Sequence, residues 1–195
     1  MRYTGMKRTL VGGHSEPVTL DMAKAHLRVS GSAEDTLIQS IIASARDFAE
    51  NYCTRSFVDG TWVLSMPCFP DGDLVLTMGP VREITSITYL NSSGVRTTAA
   101  GYASDLNARL PVVSPPIMGW PSALDQAGSV LVTYKAGPEN ATIYAENPPS
   151  LTAAMLLLIE HLYANRSAVI NGSQTETPLG VKPLLETMRI GGGVA

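Results

Sequence analysis

The sequence predicts an α+β fold, a helical core built from both chain ends with a β-rich insertion in the middle. Three observations predict it. An apolar period of 3.6 residues runs from Ile38 to Tyr52, the period drops to two at Trp62, and helical sequence returns after Pro148-Pro149. The organisation that follows is an extended N-terminal arm (1–15), a helical core (16–56 and 148–166), a β-rich insertion (57–137) and a C-terminal hook and tail (167–195).

The first fifteen residues carry several glycines and no sustained period, which reads as an arm. Thr19 is placed as the N-cap of a first helix, with Asp21 in its positive first turn and Ser30-Gly31 as its stop. A second helix opens near Ser32, where Glu34 and Asp35 suit the N-terminal dipole. Ile38, Ile41, Ile42, Ala45, Phe48, Ala49 and Tyr52 then share one face, and Arg46, Asp47 and Glu50 fall largely on the opposite side.

After Thr54 the pattern is that of strands. Trp62, Leu64 and Met66 alternate with Thr61, Val63 and Ser65. Leu74-Val75-Leu76-Thr77 and residues 83–90 are further strands, separated by a turn at Gly79-Pro80. Asn91-Ser92-Ser93-Gly94 is a hairpin loop leading into residues 95–98. Residues 103–128 are rich in Pro, Gly and Ser and read as a long excursion with one short strand at 110–113. A last β-branched run spans 129–135.

Helix resumes at Pro149 or Ser150, where proline suits a first turn. Leu151, Met155, Leu158, Ile159 and Leu162 form a broad apolar face. Each large side chain buried is worth roughly 1.5–3 kcal/mol, so this helix needs a substantial partner, and the helix through residues 38–52 is the natural one. Beyond the Asn171-Gly172-Ser173 turn, Thr177-Pro178-Leu179-Gly180-Val181-Lys182-Pro183 leads into a short amphipathic hook. Its apolar positions are Leu184, Leu185, Met188 and Ile190, with Arg189 beside them, and a Gly-Gly-Gly-Val-Ala end follows. So short a helix needs a surface to lie on, either its own core or a neighbouring subunit.

Composition narrows the function. Charged residues are only 16% of the chain, the net charge is −3 and no block of Lys or Arg occurs, which argues against tight electrostatic binding of nucleic acid. Arg2, Lys7 and Arg8 read as a solvated cluster on the arm. Cys53 and Cys68 give neither a disulfide framework nor zinc spacing and read as two reduced, partly buried thiols of a cytoplasmic product. The apolar run after Arg8 stops at Val11, too short for a signal peptide, and the sequons at Asn91, Asn140, Asn165 and Asn171 then carry no weight. The apolar window 151–159 is broken by Glu160 and His161, so no membrane span is expected.

No catalytic, metal or cofactor site is expected. Gly191 to Gly193 lack the strand and helix of a phosphate loop. His14, His26 and His161 are scattered, and Glu160 and His161, adjacent on a helix, diverge by about 100°. Asp71 and Asp73, around Gly72, read as a turn and not as calcium ligands. Trp62 reads as core. Trp120, in Pro116-Ile117-Met118-Gly119-Trp120-Pro121, reads as part of an exposed, restricted loop that suits a protein contact better than ligand stacking. The interface candidates are therefore Leu184, Leu185, Met188, Arg189, Ile190, Trp120 and Met118.

The order of motifs resembles the head–tail connector, or adaptor, proteins of long-tailed bacteriophages and phage-like gene-transfer particles. The resemblance is carried by Glu16-Pro17-Val18-Thr19-Leu20, Ala23-Lys24-Ala25-His26-Leu27-Arg28-Val29, Glu34-Asp35 with Leu37-Ile38, and Ile41 through Arg46. It continues through Tyr52-Cys53-Thr54-Arg55, Trp62, Val132-Thr133-Tyr134-Lys135-Ala136-Gly137, Pro149-Ser150-Leu151, Tyr163-Ala164-Asn165-Arg166, and Pro178-Leu179-Gly180-Val181 with Leu184-Leu185 and Arg189. It covers nearly the whole chain but does not extend to the arm before Ser15 or the loop at 114–128.

The resemblance implies a non-enzymatic virion protein of the neck, assembled in the bacterial cytoplasm. It implies a self-associated, usually dodecameric, ring beneath the portal protein that presents a surface to an adjacent neck or tail-terminator protein. DNA would pass through the lumen without sequence-specific binding, which a weakly acidic chain suits. Rival readings are another neck or tail-completion protein, and a small enzyme or carbohydrate-binding module using Trp120. The first is disfavoured by the paired helices at 19–52, the second by the lack of a convergent polar set.

Overall fold

The computed structural model describes residues 5–10, 15–139, 148–165 and 180–190. Helices and antiparallel sheets are both present, so the fold is α+β. The chain divides into two compact units, one of residues Met1–Gly13 and Asp59–Gly137, the other of His14–Val58 and Pro138–Ala195.

The first unit is a β unit. Its larger sheet has the order β1-β2-β8-β4-β5, with β1 at Gly5–Leu10, β2 at Gly60–Met66, β4 at Val81–Leu90, β5 at Arg96–Thr98 and β8 at Val130–Ala136. β2 and β8 each alternate buried and half-buried residues from end to end. Their register sets Trp62 opposite Tyr134, Leu64 opposite Val132 and Met66 opposite Val130, so the buried faces of both strands coincide. A smaller sheet runs β3-β7-β6, from Leu74–Val75, Val112–Ser114 and Ala103–Asp105. Leu74, Leu76, Ile87 and Val113 complete this core, and the buried Tyr134 donates its hydroxyl proton to the Thr77 carbonyl at 2.7 Å.

Two turns follow their residues closely. The Asn91 side-chain oxygen accepts from the N–H groups of Ser93 and Val95, both at 3.0 Å, and Gly94 takes φ 74° to close the β4–β5 hairpin. Trp62 is core, 8% exposed. Within the segment expected to be an arm, Gly5–Leu10 pair with β2 along their whole length. β6 was not expected; its three residues are all exposed and leave no apolar alternation to read.

The second unit is helical. α1 (Leu20–Leu27) starts at Thr19, whose hydroxyl accepts from the Met22 N–H at 3.2 Å, and ends at Arg28 in the left-handed region. α2 (Asp35–Cys53) starts three residues later than Ser32 and ends at Thr54, also left-handed, with φ 52°. α3 (Pro149–Ala164) has proline in its first turn, and α4 (Val181–Glu186) is a single short helix. α2 packs on α1 and α3, and α4 lies on α3 and α2. Ile38, Ile42, Ala45 and Ala49 of α2 meet Leu151, Met155 and Ile159 of α3 in a core that also takes in Val18 and Phe57. Lys24 reinforces the α1–α2 turn, with Nζ 2.6 Å from Asp35 Oδ1. The Asn171-Gly172-Ser173 turn, Thr177 to Leu179 and the last five residues lie outside the described residues.

Candidate functional site

Two surface features carry the residues singled out as interface candidates. The first is the loop after β7, in the β unit. Pro115 and Pro116 stiffen its approach, and Gly119, at φ 83°, returns its N–H to the Pro116 carbonyl at 2.7 Å. Between them Ile117 and Met118 stand out as a prong, 105% and 95% exposed, the most exposed large apolar side chains among the described residues.

Trp120 departs from expectation. It is half-buried, stacked on Phe69 with ring centroids 4.7 Å apart and planes 5° apart, and its Nε1–H donates to the Gly72 carbonyl at 2.9 Å. Phe69 in turn meets the edge of Tyr89 at 5.7 Å. With its ring face and its one donor already engaged, Trp120 braces the prong from below. An open cleft of roughly 350 Å³ beside it is lined by Cys68, Phe69, Pro70, Asp71, Trp120 and Pro121, among others.

The second feature is the C-terminal segment of the helical unit. Leu185 is fully buried and Met188 is 6% exposed, both in the helical core, while Leu184 and Ile190 are half-buried and Arg189 is exposed. The segment also covers the C-terminus of α2. Ile190 N–H donates to the Cys53 carbonyl at 2.9 Å, and the Cys53 thiol donates to the Leu185 carbonyl at 3.4 Å. Tyr52 donates its hydroxyl proton to Glu186 Oε2 at 2.8 Å, and Arg189 sits 5.6 Å from the Tyr52 ring centre. The hydrogen bond to Glu186 holds the Tyr52 phenol above its usual pKa, and burial pushes the Cys53 thiol up to about 11. Of the two surfaces left open for the hook, its own core is the one it lies on here.

Two sequence readings are corrected by side-chain placement, that of Arg46 with Glu50 and that of the two cysteines. Arg46 and Glu50, expected opposite the apolar face of α2, are 4% and 2% exposed, held by partners that approach from elsewhere in the chain. Glu160 turns to His26, with Oε2 3.1 Å from Nε2, a cross-helix pair 134 residues apart. The cysteines differ: Cys53 is buried and Cys68 is exposed. Among the described residues, no group of three or more His, Cys, Asp or Glu could hold a metal ion, and no helix is long and apolar enough to cross a membrane.

The chain is thus a two-unit α+β protein whose prominent features are a braced apolar prong on the β unit and a docked C-terminal segment on the helical unit. Residues 17–104 match the family model of the phage gp6-like head-tail connector proteins. Solved structures extend the likeness to the rest of the chain. A chain in the neck of an empty gene transfer agent (GTA) particle, computed with C6 symmetry, superposes with a TM-score of 0.76 at 20% identity, over 98% of each chain. A chain in the virion of a native GTA particle gives 0.74 at 21% identity over 97% of each chain. A third, in the neck of a native GTA particle computed with C12 symmetry, gives 0.70 at 18% identity over 98% of each. At these identities the likeness is one of fold. No curated protein matches the sequence.

Proposed function

We propose that this chain is a structural head–tail connector, the adaptor subunit of a tailed phage or phage-like particle. It joins the capsid to the neck and tail as a ring and leaves a lumen for DNA. One observation carries the reading: the likeness to particle-neck chains is end to end, 98% of both chains in the first comparison, and includes the span that matches the connector family. The symmetries under which those necks were computed, C6 and C12, support a ring built from copies of one subunit.

The portal protein lies above the ring and the next neck or tail-terminator protein below it, with the particle assembled in the bacterial cytoplasm. The Ile117–Met118 prong is the contact point best suited to a neighbouring protein, because it is apolar, exposed and held by Trp120. The candidates Leu184, Arg189 and Ile190 offer a second contact at the rim of the docked segment. Leu185 and Met188 act there through the core, as anchors of that rim. The net charge of −3 suits a conduit through which DNA slides.

The test is particle assembly without the chain. Heads produced in its absence should be full-sized but tailless, and adding the purified chain should restore tail attachment. Tailed, infectious or gene-transferring particles formed in its absence would refute the reading.

A further inference from the structure

Arg46 and Glu50 occupy adjacent turns of α2, with Arg46 Nε 3.6 Å from Glu50 Oε2 and side chains 4% and 3% exposed. Each holds a different stretch of chain. The Arg46 guanidinium binds the Glu16 carboxylate through Nη1, and also Asp47 Oδ1 at 2.8 Å through Nη2. Glu50 Oε1 accepts the Phe57 N–H at 2.7 Å and lies 3.5 Å from the Ser56 hydroxyl, which donates to the Val58 carbonyl at 2.9 Å.

Their positions in the chain give the arrangement its meaning. Glu16 follows directly on the passage from the β unit into the helical unit at Gly13/His14, and 56–58 directly precede the passage back at Val58/Asp59. We infer that the Arg46–Glu50 pair is a clamp that couples the incoming and outgoing chain of the helical unit. Arg46 fixes the first through Glu16, Glu50 fixes the second through Phe57, and the attraction between them makes the two attachments interdependent.

The physical reason is that a buried ion pair is a poor source of net stability, since desolvation offsets attraction, whereas its directional hydrogen bonds fix geometry. If either partner shifts, the other is left as a buried charge with reduced compensation, so a disturbance at one passage reaches the other. In this role Arg46 and Glu50 are positioning residues, and the inference does not depend on the connector reading.

Amide hydrogen exchange on the full chain tests it. Glu50→Gln should speed exchange at the Phe57 amide by about tenfold and also speed exchange at Val18, two residues beyond Glu16 on the incoming chain. Glu16→Gln, a milder change at a side chain 25% exposed, should accelerate exchange at Phe57 from the other end. The Ile42 and Ala45 amides in the middle of α2 should stay within about twofold of the parent. Effects confined to the mutated end would overturn the coupling. Equal acceleration throughout α2 would also overturn it, by reducing the pair to a general stability element.

Discussion

Trp120 lies flat on Phe69, their planes 5° apart, and this contact joins the base of an exposed loop to the segment that follows β2. Its consequence is that the brace and the tip of the loop are separable. Trp120→Ala removes a half-buried ring, a stacked pair and a hydrogen bond to the Gly72 carbonyl. The expected loss is about 2–4 kcal/mol in urea unfolding. A loss below about 0.5 kcal/mol would show that the ring does not brace the loop.

Changing the tip should do the opposite. Ile117→Ser together with Met118→Ser removes no buried surface, so stability should stay within about 0.5 kcal/mol of the parent. Attachment to heads or to the next neck component should nevertheless fall by about tenfold or more, as for a truncated interface anchor. Unchanged attachment would remove the prong from the interface.

Leu185 is fully buried in the helical unit. Leu185→Ala should therefore cost about 2–5 kcal/mol, with the larger figure applying if the cavity stays open. The C-terminal segment is in this sense part of the core, and truncating the chain ahead of α4 should lower the thermal midpoint as well as disturb attachment. An unchanged midpoint in both variants would mean that α4 does not hold its docked position in solution.

The two thiols should separate cleanly. In the native chain at pH 8 a disulfide reagent should modify Cys68 at once and Cys53 only on unfolding. Burial raises Cys53 from the ordinary value of 9.0 to about 11 in the folded chain. Its contribution to stability is thus fully present below pH 9 and is lost as pH rises from 9 toward 11, because the unfolded chain releases the proton first. Cys53→Ser should flatten that part of the stability profile. An equally steep alkaline loss in the variant would assign it to other groups.

What could be read from residues alone follows physical lines. The α2 period, the alternation in β2 and β8, the Thr19 cap and the Asn91 hairpin are local patterns, and each is found where its residues indicate. What could not be read depends on partners distant in sequence. Periodicity treats Arg46 and Glu50 as solvent-facing and does not register that Glu16 and Phe57 return to them. β1 is defined by its pairing with β2, and β6 by pairing with β7, not by any apolar signature. Likewise the Met118 neighbourhood was legible as an exposed loop, but Phe69, fifty-one positions before Trp120, gave no local sign of its stacking role.

Mass measurement of the chain alone and mixed with portal protein decides whether it is the connector subunit of a particle neck. A connector subunit should give a defined complex carrying one copy of this chain per portal subunit. A mixture in which portal and chain keep their separate masses at every ratio would rule out the connector role.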